Sequence, residues 1–232
     1  MIKSFRPVFI ISMYDEHDFV RATIMQIHTT FPKSCVIVVQ SDDGNQTKHG
    51  DIFIKLPNLK GTVDDLKLPA NAICRNFARG FQELYNSYIP ADIVVALTGD
   101  TMITDATAIY RRYGEMVAQQ KLAAVCQPIG QRQHSADGTL WGTLNAEDST
   151  SFICCLFMFN GEWATDMEVF KDIPVVNEYT SEECLGTQLA KELKAGGCDW
   201  KQVLRLNSMD PLNCYSYIDG IVWHAKTGKP GR

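Results

Sequence analysis

Three runs constrain this chain more than anything else in it: VFIISM at 8–13, CVIVVQ at 35–40 and DIVVAL at 92–97. A strand with one wet face alternates apolar and polar residues. A strand that is apolar along its length is covered on both sides, which in a water-soluble fold means a parallel sheet between helices. DIFIKL at 51–56 alternates and reads as a further strand, closed by Pro57. Helical spacing separates the runs. Val20, Ile24 and Ile27 mark one helix that stops at Phe31-Pro32, and Ile73, Phe77, Phe81 and Leu84 stripe a second over 69–85. Ile109, Tyr113 and Met116 mark a third. The succession predicts an α/β fold, a mostly parallel central sheet with helices on both faces. Ligands of such sheets bind beyond the carboxyl ends of the strands. Ser12, Tyr14, Asp15, the pair Asp42-Asp43, and Gly99-Asp100 all stand at such ends.

The later sequence is less regular. Residues 127–148 are polar and turn-rich, with an Asp137-Gly138 hairpin signal. Residues 151–159 form the most apolar strand, and 203–206 suggest another. A helix over 181–193 turns Leu185, Leu189 and Leu193 inward and opens on Glu182 and Glu183. Trp223-His224 precedes the basic tail AKTGKPGR. Neither a repeat nor a composition break divides the chain, so one domain is expected over 1–232.

Composition narrows the function. The 22 Lys and Arg against 27 Asp and Glu leave a net charge of −5, which argues against a general nucleic-acid or anionic-membrane binder. The longest apolar run, 152–159, is far short of the roughly 18 residues of a membrane span. The N-terminus meets acid at Asp15 and makes a poor signal peptide, so a cytoplasmic setting is expected. None of the 8 cysteines forms a C-x-x-C pair, and a bridge between adjacent Cys154 and Cys155 would be strained. Reduced, mostly buried thiols are expected.

Each candidate residue carries two readings. Asp100 after an apolar strand is either a turn residue or a carboxylate ligand for a divalent cation. Asp42 and Asp43 form an Asx turn or accept a hydrogen bond from a nucleobase. Glu182 and Glu183 favour a helix N-terminus, or one of them is a general base. His224 is a solvated imidazole or a second ligand to the same cation. Arg75, Lys226, Lys229 and Arg232 are surface charge or neutralise a diphosphate. Trp141 is a hairpin aromatic or stacks on a sugar ring. His134 and the strand around Cys154-Cys155 are weaker candidates for an acceptor site.

Taken in order, these segments resemble a GT-A (Rossmann-like) glycosyltransferase, and most of all the inverting family 2 group. VFIISMYDE is similar to that family's first strand and the polar turn lining the nucleotide. VIVVQSDDGN is similar to its second strand and acidic turn, NAICRNFARG to its A-R-N-x-G helix, and ADIVVALTGDTMITD to the strand ending in D-x-D. DIPVVNEYTSEECLGTQLAKEL is similar to the segment whose acidic pair opens a helix. The D-x-D position reads Thr98-Gly99-Asp100, with only the last acid present.

The resemblance implies a nucleotide-sugar-binding half over 1–105 and an acceptor half over 106–232. It implies transfer of a sugar from a nucleotide donor, a UDP-sugar, to an acceptor hydroxyl, with inversion. Asp100 and His224 would hold Mn²⁺ or Mg²⁺. Ser12, Tyr14, Asp15, Asp42, Asp43, Arg75, Gly99 and Asp100 would line the donor site. Glu183 would act as base, with Glu182 in reserve. The charge balance and the short apolar runs add the expectation of no nucleic-acid partner and no membrane span. Two other classes compete. A sugar-nucleotide-forming nucleotidyltransferase usually carries a Gly-rich basic loop after the first strand, where this chain has Met13-Tyr14-Asp15-Glu16. A catalytically degenerate nucleotide-sugar or glycan binding domain fits the incomplete D-x-D.

Overall fold

A computed structural model of the chain describes residues 4–41, 47–57, 68–126, 133–134, 140–141, 156–166, 202–206 and 217–224. In chain order the elements are β1 (Pro7–Met13), α1 (His17–Thr30), β2 (Cys35–Ser41), β3 (Ile52–Leu56) and α2 (Leu68–Asn86). Next come β4 (Ile93–Thr98), β5 (Thr101–Ile103), α3 (Ala106–Ala118), β6 (Ala123–Cys126), β7 (Gln133–His134) and β8 (Leu140–Trp141). The last are β9 (Leu156–Asn160), α4 (Gly161–Asp166), β10 (Val203–Leu206), β11 (Tyr217–Ile218) and β12 (Val222–His224).

Seven strands make the main sheet in the order β10-β6-β9-β4-β1-β2-β3. Four of them, β3, β2, β1 and β4, are mutually parallel, and β10 is parallel to β6. Only β9 runs against both its neighbours, β4 and β6. This is the mostly parallel, Rossmann-like α/β sheet that the apolar runs predict. Strands β6 and β9 to β10 come from the later sequence, so the sheet draws on both sides of residue 105.

Alternate residues of the buried strands supply two cores, one on each face. On one face Phe9, Ile11, Val38, Val95, Leu97 and Met158 pack with Val20 and Ile27 of α1 and Ile109 and Met116 of α3. On the other, Val8, Ile10, Val39, Val94, Phe157 and Phe159 pack with Phe77, Phe81 and Leu84 of α2. The central strands are apolar throughout because both pleat surfaces are covered. Strand β3 lies at the sheet edge, half-exposed along its length, and carries Lys55 there, a residue type that discourages edge pairing.

Helix starts and close approaches follow from single residues. Asp105 caps α3 by accepting from the backbone N–H groups of Thr107 and Ala108. Helix α2 crosses β1 closely at Gly80, where a Cβ would lie 2.3 Å from Ile10 Cγ2. At the other end of the sheet the Gly161 amide donates to Asp92 O over 3.1 Å, leaving no room for a side chain.

A second, small sheet, in the order β11-β12-β5, was not legible in the sequence. Strand β12 is antiparallel to β5, pairing Val222 with Ile103, Trp223 with Met102 and His224 with Thr101. Asp219 and Gly220 turn the chain between β11 and β12 with φ of +55° and +69°, values that Asp-Gly pairs tolerate. Arg112 of α3 holds that turn with two hydrogen bonds to the Asp219 carboxylate. The ring of Phe19 in α1 stacks on Trp223 at a centroid distance of 6.0 Å. Strands β7 and β8 pair antiparallel; the Asp137-Gly138 signal itself lies outside the described residues.

Candidate functional site

Register gathers the polar residues at one edge. Ser12 is opposite Val39 in β2 and Thr98 in β4, so the chain leaves β1, β2 and β4 at one level of the sheet. Two turns meet there, 14–16 after β1 and 99–100 after β4, with the end of β2 at Ser41 on the same level. The Gly99 amide donates to Ser12 O at 2.7 Å and ties the first turn to the last. A Cβ on Gly99 would lie 2.7 Å from Glu16 Oε2 and 3.1 Å from Met13 Cα, so only glycine lets the turns approach this closely.

Glu16 stands at the centre of this junction. Its Oε2 accepts from the Tyr14 amide at 2.7 Å. Burial pushes its carboxyl above the usual range, and the nearby Asp100 and Asp15 carboxylates add to the shift. Hydrogen bonds from the backbone N–H groups of Tyr14 and of Glu16 itself act the other way. Repelling carboxylates in a half-buried place are the donor chemistry a hard divalent cation prefers. Among the described residues no group of three or more His, Cys, Asp and Glu side chains is placed to hold a metal.

Threonine at 98 stands where the D-x-D pattern has its first acid. Its Oγ1 lies 2.9 Å from that of Thr101, and the Thr23 hydroxyl of α1 donates to Thr101 O at 3.1 Å. All three threonines are buried. This polar knot anchors β5 against α1 directly beyond Asp100, and the same β5 residue, Thr101, pairs with His224. The backbone of His224 is thereby brought beside the Asp100 turn.

The predicted donor-site residues fall into three groups. Ser12, Tyr14, Asp15, Gly99 and Asp100 share the junction; Ser12 is buried and Asp15 is exposed. Arg75 lies in α2, where its Nη2 donates to Pro57 O at 2.6 Å just after β3. Burial lowers its pKa. Asp42, Asp43, Glu182 and Glu183 lie outside the described residues, as do Cys154, Cys155, Lys226, Lys229 and Arg232. Trp141 is in β8, paired with Gln133, and His134 is in β7. Cys35, half-buried, is a free thiol that burial and Asp51 push up to about 11, which leaves it unreactive near neutral pH.

Two residues of the junction were missed by sequence reasoning. Glu16 looks like an ordinary helix-opening acid, yet its side chain turns back to Tyr14 instead of capping α1. Asn76 lies on the sheet-facing side of α2, 2% exposed, and bonds to Ser12, Met13 and Ser41. The signals were present: an acid two residues past a strand end, and an amide inside an apolar helix stripe.

The fold and the junction define a Rossmann-like α/β protein with an acidic, partly buried centre at its strand ends. No family model matches the chain, and no curated protein does. Among solved structures it is similar to 4-diphosphocytidyl-2C-methyl-D-erythritol synthase from Anaerococcus prevotii, with 9% identity over 87% of this chain and 86% of that one and a TM-score of 0.46. Among the described residues no helix is long and apolar enough to cross a membrane.

Proposed function

We propose that the chain is a metal-dependent glycosyltransferase that moves a sugar from a nucleotide donor, a UDP-sugar, to an acceptor hydroxyl with inversion. One observation carries this reading: the ends of β1 and β4 are locked together around Glu16 and Asp100, with β12 bringing His224 alongside. An acidic centre at strand ends calls for a cation, and a cation there calls for a phosphate-bearing ligand. Asp100 and His224 would hold Mn²⁺ or Mg²⁺, with Glu16 near enough to Asp100 to feel its charge. When bound, such an ion supplies compensation for the charge that develops on a diphosphate leaving group. Tyr14 and Asp15 line the nucleotide side, joined there by Asp42 and Asp43 from the segment after β2. Glu183, or Glu182 beside it, takes the proton of the acceptor hydroxyl.

A second reading is a catalytically degenerate nucleotide-sugar or glycan binding domain. The Thr98–Thr101 knot favours it, since the place of the first acid is given to a buried structural bond. Nucleotidyl transfer fits less well, because the turn after β1 offers carboxylates where a triphosphate needs cationic and glycine-rich surroundings. The deciding test is calorimetric titration with UDP, GDP and dTDP, each with and without Mn²⁺. Metal-dependent binding of one nucleotide, lost in Asp100→Ala, supports the transferase. A folded chain that binds none of them refutes it. Donor turnover, abolished in Glu183→Gln with binding retained, separates enzyme from binding domain.

A further inference from the structure

Two neighbouring residues of α2 reach three consecutive strand ends. Asn76 Nδ2 donates to Ser12 Oγ at 3.2 Å and to Met13 O at 3.4 Å, both at the end of β1. Its Oδ1 accepts from Ser41 Oγ at 3.0 Å, at the end of β2. Arg75 donates to Pro57 O, one residue past β3. A second tie joins the first two ends, from Gln40 Nε2 to Tyr14 O at 3.2 Å.

An amide is a costly choice for this position. Packing alone would be served by an apolar residue, and a buried amide is tolerated only when its bonds are made. Here both halves of the amide are used, and every bond goes to a strand end rather than to the helix or the core. A satisfied buried network rigidifies one arrangement of the groups it joins. The groups joined are the last residues before the turn of Tyr14 and Asp15 and before the segment of Asp42 and Asp43. We infer that Asn76 is a positioning residue: it fixes the separation of the β1 and β2 ends, and with it the width of the slot that receives the nucleoside. Arg75 extends the clamp to β3. The inference rests on the nucleotide-binding reading above.

The test compares Asn76→Ala with Leu84→Ala, a core variant on the same helix away from the strand ends. UDP, GDP and dTDP are titrated with Mn²⁺ into both and into the wild-type chain, and backbone hydrogen exchange is mapped. Asn76→Ala is expected to weaken nucleotide binding about tenfold or more, the scale of a broken buried network. It should also speed exchange of the Tyr14 and Gly99 amides selectively. Leu84→Ala should lower the melting temperature at least as much and leave the affinity unchanged. Unchanged affinity in Asn76→Ala, or equal loss in both variants, overturns the inference. If the wild-type chain binds no nucleotide, the functional reading and the slot fall together, while the exchange map still judges the clamp. Should Asn76→Ala not fold, Ser41→Ala removes one bond of the same network, and a smaller loss of affinity is expected from it.

Discussion

Replacing Gly80 with alanine sets two known effects against each other. On an isolated helix the change is favourable, by roughly 1 kcal/mol. In this structure the new Cβ would lie 2.3 Å from Ile10 Cγ2, against the 3.4 Å at which ordinary contact begins, a shortfall of about 1.1 Å. Ile10 is fully buried, and Val39 Cγ2 already stands at 3.4 Å from the same point, so the isoleucine has little room to turn. Strand β1 lies between β2 and β4 and cannot retreat from the helix. Helix α2 must therefore lift, loosening Phe77 and Phe81 from the sheet. Overpacking of this kind costs about 1–3 kcal/mol, and with the helix gain of about 1 kcal/mol subtracted the net loss should be about 0–2 kcal/mol.

Urea unfolding of four chains measures this: wild type, Gly80→Ala, Ile10→Ala and the double variant. Ile10→Ala alone should cost about 2–5 kcal/mol. It also deletes the obstructing Cγ2, so Gly80→Ala in that background should be neutral or should stabilise by up to about 1 kcal/mol. The two sites should thus couple by about 2 kcal/mol. Equal effects of Gly80→Ala in both backgrounds would refute the close approach.

Two further outcomes concern pH and capping. Thr107's hydroxyl, with Arg111 beside it, holds the Asp105 carboxyl below its ordinary 3.8, so its contribution is present above that value and lost as pH falls through the lower folded one. Asp105→Ala should cost about 0.5–2 kcal/mol at neutral pH and should lose that part of the acid dependence in denaturation curves. His49, hydrogen-bonded ring to ring with His17 at 2.8 Å, is held below its ordinary 6.5 by burial, and the charges of His17 and Arg21 act the same way. Its contribution to stability is therefore complete above that value and declines on acidification, and His49→Gln should flatten the melting temperature between pH 7 and about pH 5. A wild-type curve with no acid-side decline that the variant removes would contradict this.

Much of the fold was legible because burial on both faces leaves an unmistakable trace. The runs at 8–13, 35–40 and 92–97 became β1, β2 and β4 with shifts of about one residue at an end. The stripe Ile73, Phe77, Phe81 and Leu84 meets the sheet as its spacing required. The reversal of β9 was not legible, since an apolar run has no direction. Strands β5, β11 and β12 are two or three residues long and defined by their partners rather than by pattern. The site divides similarly. Strand-end residues such as Ser12 and Asp100 follow from topology, whereas Glu16 and Asn76 act through bonds between turns that no local pattern records.

The pairing of Thr101 with His224 has a consequence for synthesis. A ribosome adding about 5–20 residues per second needs on the order of ten seconds to pass from one to the other. Until then β5 has no β12 to pair with along its edge. The small sheet beside the Asp100 turn therefore closes only after residues of every strand of the main sheet have been synthesised.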